Sequence, residues 1–266
     1  MAYTPMFESW RVRIDGRIFD VTLDLGRGED YPLADRCWFF GVRVPMAAKQ
    51  ENGLPGPDEA RRLDVVENRI RAIVKEREGL YVGRRTGAFN RDLLFYTASH
   101  ARESEDRIRA SVGLEILFIS RPDSKWEGFD QLLPSAKDWQ QIEEQKRIDK
   151  LANEGVDIDS PHRVTYSIAV SIRKGAEALA RMLPKLDLAD VEIDGEEPNL
   201  IVTGSHIVPM DAEMISKVTW VLVNKSPKAR GDYLGWDAES VVTEVLESPE
   251  TDEDLLSLLS GLAMAD

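Results

Sequence analysis

Apolar and polar positions alternate from the start of the chain. Trp10, Val12 and Ile14, then Phe19, Val21, Leu23 and Leu25, keep a period of two on either side of Asp15-Gly16. That dipeptide between alternating runs predicts a hairpin of residues 8–14 and 17–25. A Gly- and Pro-bearing loop leads to a strongly apolar strand, Cys37 to Val44. Beyond the punctuation at Asn52 to Pro57 the period changes. Leu63, Val66, Ile70, Ile73 and Val74 form a three-and-four stripe within Asp58 to Glu78, with Pro57 before it and Gly79 after it, which predicts a helix. Leu80 to Arg84 and Arg91 to Ala98 read as strands paired around Gly87. Ala101 to Val112 reads as a charged helix and Leu114 to Ser120 as a buried strand.

From Cys37 the order is therefore strand, helix, strand, strand, helix, strand, and the second half repeats it. Arg121 to Pro134 has no long apolar period and is the expected linker, with Trp126 and Phe129 available to pin it. A helix from Asp138 to Asn153 follows, with Trp139, Ile142, Ile148 and Leu151 as its apolar side. Then come a strand at Arg163 to Val170, a helix at Lys174 to Leu186 that Pro184 should kink or shorten, and strands at Val191 to Asp194 and Leu200 to Val208. Asp211 is an acceptable cap for the next helix. There Val218 to Val223 has strand propensity, but Met214, Ile215, Val218, Val221 and Leu222 fit a helical stripe. The element order requires helix. A last strand carries Asp232-Tyr233-Leu234-Gly235-Trp236. This is the split βαβ pattern. The expected fold class is α+β in two domains, the second a ferredoxin-like βαββαβ sandwich and the first a candidate for the same. The expected division is residues 1–133, 134–247 and a tail, 248–266.

Composition narrows the class of function. At 266 residues and 42% hydrophobic content the chain is long enough for two packed cores. No apolar run approaches the roughly 20 residues of a membrane span. No basic-then-apolar leader opens it, and the single Cys37 forms no intramolecular disulfide, so a reducing cytoplasm is the expected compartment. The net charge of −14 is uneven: up to Leu133 there are 21 Lys+Arg against 22 Asp+Glu, and from Pro134 onward 13 against 26. The second half thus repels nucleic acid and suits a basic protein partner or simple solubility.

No catalytic constellation stands out. His100, His162, His206 and Cys37 are scattered and supply neither a zinc site nor an activated nucleophile, so neither metal, cofactor nor catalysis is expected. His206 reads as a hydrogen-bonded structural histidine in a strand, and Cys37, beside Trp38-Phe39-Phe40, as a core thiol. The acidic pairs read as solvated charge. An enzyme with an unrecognised site, such as a hydrolase, is one alternative. RNA binding is another, because Arg84, Arg85 and Phe89 place arginine and aromatic side chains at a hairpin of a sheet, as RNA-recognition sheets do; a structural hairpin is the plainer reading.

The stretch from Trp139 to Val242 resembles the bacterial regulator of ribonuclease activity B family. The likeness rests on the charged helix Gln140 to Lys146, the stop at Gly155 with Asp157, the split βαβ elements and, most distinctively, Asp232-Tyr233-Leu234-Gly235-Trp236. It implies a regulator that binds and inhibits a ribonuclease E-type enzyme. The first half resembles a bacterial domain family of unknown function that occurs fused to it, through Trp10 with Asp15-Gly16, Gly53-Leu54, the helix that follows and Val82-Gly83-Arg84 leading to Phe95-Tyr96; this implies no activity. The expected partner surface is Asp232, Tyr233, Gly235 and Trp236 together with Leu255, Leu258, Leu259 and Leu262. The four leucines fall on one face of a short helix, although Trp236 taken alone suits a core somewhat better. That apolar face needs a surface to cover it: this chain's own, a second copy or a target.

Overall fold

The computed structural model describes residues 3–26, 31–48 and 50–241. Asp15 and Gly16 both take positive φ, 49° and 76°. This tight turn suits the twist of a hairpin and folds β1 (Phe7–Ile14) onto β2 (Arg17–Asp24) with Ile14 opposite Arg17. There follow β3 (Trp38–Pro45), α1 (Pro57–Lys75), β4 (Leu80–Gly87), β5 (Asn90–Thr97), α2 (Arg102–Val112) and β6 (Leu117–Pro122). They make one antiparallel sheet in the order β1-β2-β4-β5-β3-β6. Strand alternation sends Phe40, Val42, Leu93 and Phe95 to one face, where Leu63, Ile70 and Val74 of α1 and Ile108 of α2 close a core over them.

The opposite face is covered as well. Val21, Leu23, Leu94 and Tyr96 meet Trp126, Phe129 and Ile142, which come from the expected linker and from the helix beyond it. Trp126 stacks on Tyr96 with ring centroids 3.9 Å apart and donates its indole N–H to the Arg36 carbonyl at 2.8 Å. Asp123 fixes the turn. Its carboxylate accepts from the Tyr96 hydroxyl at 2.7 Å and from the backbone N–H groups of Glu127 and Gly128, both at 2.9 Å. These two amides open the one-turn α3 (Glu127–Asp130). Burial raises the Asp123 carboxyl, but Gly128 N–H, Tyr96 and Glu127 N–H outweigh it and hold the pKa below the ordinary value.

Helix α4 (Ala136–Asn153) begins in a capping box. The Asp138 N–H donates to the Ser135 hydroxyl and the Ser135 N–H to the Asp138 carboxylate. It serves both cores, with Ile142 against the first sheet and Ile148 in the core of the second. The second half runs β7 (His162–Val170), α5 (Arg173–Ala180), β8 (Ala189–Glu196), β9 (Asn199–Val208), α6 (Ala212–Lys225) and β10 (Gly231–Ser240). Its antiparallel sheet has the order β10-β7-β9-β8. Counted from β3 in one sheet and β7 in the other, both orders read fourth, first, third, second. The hairpin β1-β2 extends the first sheet beyond β4.

Residues 218–223 are helical, inside α6. Ile215, Val218 and Leu222 are buried there, so packing overrides strand propensity. Asp211 caps this helix through the Met214 N–H at 2.7 Å. The helix expected over 174–186 stops at Ala180, and Pro184 lies in a separate 3-10 turn, Leu183–Leu186. Two expectations need correction. The strand expected as buried over 114–120 is the outer edge of its sheet, and Leu117 and Ile119 are exposed because only its alternate residues face the helices. Cys37 is half-buried rather than a core thiol, because it precedes β3 and turns its sulfur to the Ala98 carbonyl at 3.6 Å.

Candidate functional site

Strand β10 is an edge of the second sheet, and the Tyr-Leu-Gly-Trp run is a bulge in it. Tyr233 pairs with Ile168 and Gly235 with Ser167, so Leu234 is the extra residue and stands 60% exposed. Gly235 takes φ +128°, a conformation L side chains rarely adopt; the space beside it is open apart from Arg147. Backbone conformation is therefore the demand for glycine.

Past the bulge Trp236 turns inward and is only 2% exposed. Its indole N–H donates to the buried Glu144 carboxylate of α4 at 2.5 Å, and Gln140 donates to the other Glu144 oxygen at 2.9 Å. The Arg147 guanidinium lies 4.2 Å over the Trp236 ring, donates to the Trp236 carbonyl and sits 3.5 Å from Asp237. The structure thus places Trp236 in the core, as the anchor by which α4 holds the edge strand. Tyr233 also faces inward. Its hydroxyl is buried beside Thr219 without a hydrogen bond of ordinary geometry, and burial raises its pKa. Asp232 is exposed. Along this edge a shallow cavity of about 500 Å³ runs between β10 and the cationic side of α4, Lys146, Arg147 and Lys150.

The face of the second sheet away from its helices is the larger feature. On β7, His162, Val164, Tyr166, Ile168 and Val170 point inward and are buried, so Arg163, Thr165, Ser167 and Ala169 point outward. Residues opposite one another in the ladder share a face. Register therefore sets Glu239, Asp237 and Asp232 of β10 outward on one side and Ile207, Ser205, Thr203 and Ile201 of β9 on the other. Beyond β9, register puts Glu192, Asp194 and Glu196 of β8 on the same face. The result is a floor of small hydroxyl and aliphatic residues between two carboxylate rows. Arg163 is the one cation that alternation places there among the described residues, and it is paired with Asp190. Ser205 and then Arg163 lower the Asp190 pKa and hold it charged. No described element packs on this face.

The residues of the RNA alternative are not gathered. Register puts Arg84 and Arg85 on opposite faces of the first sheet, opposite Leu93 and Asp92 respectively. Arg84 is held by Glu67 at 2.9 Å, under α1, and Arg85 by Asp92 at 2.8 Å. Phe89 sits in the β4–β5 turn at φ +67°. His206 points inward, 3.1 Å from the Tyr166 hydroxyl, and burial lowers its pKa, so it is a neutral structural histidine. It borders a cleft of about 850 Å³ between α6 and the 3-10 turn, whose lining mixes aliphatic side chains with Lys185, Lys217 and Arg163 and with Asp187, Asp190 and Ser205. Among the described residues no three His, Cys, Asp or Glu side chains converge to hold a metal, and no helix is long and apolar enough to cross a membrane. Leu255, Leu258, Leu259 and Leu262 lie outside the described residues. The acidic rows escaped the sequence reading because each is a set of alternate residues whose common face exists only once the ladder register is known.

Both halves match known family models. Residues 8–133 match a family of unknown function (DUF695), and residues 141–238 match the regulator of ribonuclease activity B family. The two matches meet across the segment that leads from α3 into α4. Among curated proteins nothing matches the chain. A solved structure of an unknown protein from Galdieria sulphuraria aligns over 78% of this chain and 99% of its own, at 13% identity and a TM-score of 0.22.

Proposed function

We propose that this chain is a non-catalytic regulator that acts by binding a basic surface on a ribonuclease, of the ribonuclease E type, through the open acidic face of its second sheet. The observation that carries the reading is the uncovered face between the rows Glu192, Asp194, Glu196 and Asp232, Asp237, Glu239, which lies in the half that matches a ribonuclease-regulator family. Two carboxylate rows repel RNA phosphates and attract Lys and Arg, so such a face competes for a basic surface that would otherwise hold RNA. The small side chains Thr165, Ser167 and Thr203 keep the middle of the floor low, while Arg163 and Asp190 close over Ser205 at one end. Leu234, pushed outward by the bulge, and Asp232 extend the surface around the edge, while Trp236 acts from beneath by fixing β10. The first domain supports α4 and hence that edge: Lys146 of α4 pairs with Glu8 of β1 at 3.0 Å, and Arg11 of β1 approaches Glu213 of α6 at 3.9 Å. On this reading the protein works in a bacterial cytoplasm, where its target acts, and divides near Leu133.

The test is inhibition of a purified ribonuclease E-type enzyme cleaving a fluorescent RNA, with the full chain added. Inhibition should be dose-dependent and should weaken about tenfold or more when Asp194→Lys and Asp237→Lys are combined, because each reverses a charge in a different row. Absence of inhibition, or equal inhibition by the double variant, overturns the proposal.

A further inference from the structure

The first sheet carries an apolar groove that its own helices leave open. Segment 126–132 covers one side of the face away from α1 and α2; the cover reaches Phe39 of β3 and leaves Gly41 and β6 open. There Gly41 has no side chain, and the depression beside it, about 480 Å³, is walled by Phe39, Leu94 and Leu132 on one side and by Leu117 and Ile119 on the other. Leu117 and Ile119 are 61% and 55% exposed, on an edge strand, which is an unusual position for two aliphatic side chains unless something covers them. The rim is cationic. Arg43 and Arg85 share the single carboxylate of Asp92 at 2.6 and 2.8 Å. Arg121 lies over the Phe39 ring and is 3.8 Å from Asp123, whose oxygens already serve Tyr96, Glu127 and Gly128.

We propose that the occupant of this groove is the leucine-bearing acidic segment of the same chain. Leu255, Leu258, Leu259 and Leu262 would lie against Leu117, Ile119 and Phe39, and Asp252, Glu253 and Asp254 would face Arg43, Arg85 and Arg121. Three considerations select this occupant. The first is chemistry: spacing of i, i+3, i+4 and i+7 gives one apolar face when helical, and the carboxylates just before it match the arginine rim. The second is exclusion: no Lys or Arg follows Arg230, so the acidic face of the second sheet repels this segment and the groove does not. The third is tethering. Residues 242–254, extended, span about 45 Å, about the diameter of a compact chain of this size. A short tether also gives a local concentration on the order of millimolar, far above that of a separate copy at micromolar total protein. The segment would thus be held away from the partner-binding face. This inference does not depend on the identity of the partner.

Cysteine footprinting tests it. In the full chain carrying Cys37→Ser and Leu117→Cys, the rate of maleimide labelling reads whether the groove is covered. The same rate is measured in a chain ending at Glu247 and in a full chain with Leu255, Leu258, Leu259 and Leu262 all replaced by Ser, each at about 1 and about 50 μM protein. Labelling should be about tenfold or more slower in the unaltered-tail chain than in the other two, and equally so at both concentrations. Equal rates in all three chains overturn the proposal. Protection that appears only at the higher concentration also overturns it, because the occupant is then a second copy.

Discussion

The two sheets share one strand order and differ in what lies on the face away from their helices. In the first, β5 alternates Leu93 and Phe95 with Leu94 and Tyr96, so both faces are apolar, and Trp126, Phe129 and Ile142 cover the second of them. In the second, β7 alternates Val164, Tyr166 and Ile168 with Thr165, Ser167 and Ala169, so only one face calls for a core. The same topology therefore makes a layer covered on both faces, apart from the groove beside β6, in one domain and an open platform in the other. The choice rests on every second residue of the central strands. The domain without a free polar face becomes the support. The other domain carries carboxylates on its two edge strands and leaves the face between them open.

Removing the cover of the first sheet should have the largest effect. Trp126→Ala deletes a fully buried ring that stacks on Tyr96, and urea unfolding should show a loss of about 3–5 kcal/mol. A loss below about 1 kcal/mol would show that the linker does not bury that face.

Asp123→Asn should cost about 2–3 kcal/mol, since it replaces a charged acceptor of several donors by a neutral amide. Its folded pKa is depressed. The stability it contributes is thus complete above the unfolded value of about 3.9 and disappears as pH falls through the lower folded value. Denaturant midpoints measured from neutral pH down to about pH 2 should fall less steeply in the variant. Identical slopes would exclude Asp123 as the titrating contributor.

On the platform side, Trp236→Phe keeps an aromatic, though smaller, side chain and leaves the buried Glu144 carboxylate without its indole donor. It should cost about 1–3 kcal/mol and speed hydrogen exchange along β10. Unchanged exchange would mean that α4 does not hold the edge strand. The smallest effect on stability is expected from Asp194→Lys with Asp237→Lys on the open face, within about 0.5 kcal/mol for each, whereas the proposed inhibition of the ribonuclease should weaken. A large destabilisation would mean that the face is covered, and the contrast between the two sheets would fail.

Much of this was legible in the chain. Asp15-Gly16 set the first hairpin because both residues tolerate positive φ. The βαββαβ order was readable twice, and it decided correctly for helix at 218–223 against local propensity. The edge position of Leu117 and Ile119 was not readable, because an apolar period of two looks the same in a buried strand and at the rim of a sheet. The role of Trp236 could be narrowed but not decided, because its neighbours Glu144 and Arg147 lie some 90 positions earlier.

What the sequence determined by itself was local: turn chemistry, periodicity, caps, and the confinement of nearly all the excess negative charge to the second half. Those properties follow from each residue and the few beside it. Tertiary structure decided which alternate residues share a face, which strands are edges, and that segment 121–134 is a cover as well as a connection. Strand register and sheet order are set by the sum of many weak contacts between distant positions, and no window along the chain contains that sum. The acidic platform is the clearest case. Its six flanking carboxylates come from two strands at opposite edges of the sheet, and only the ladders β10-β7-β9-β8 bring them onto one face.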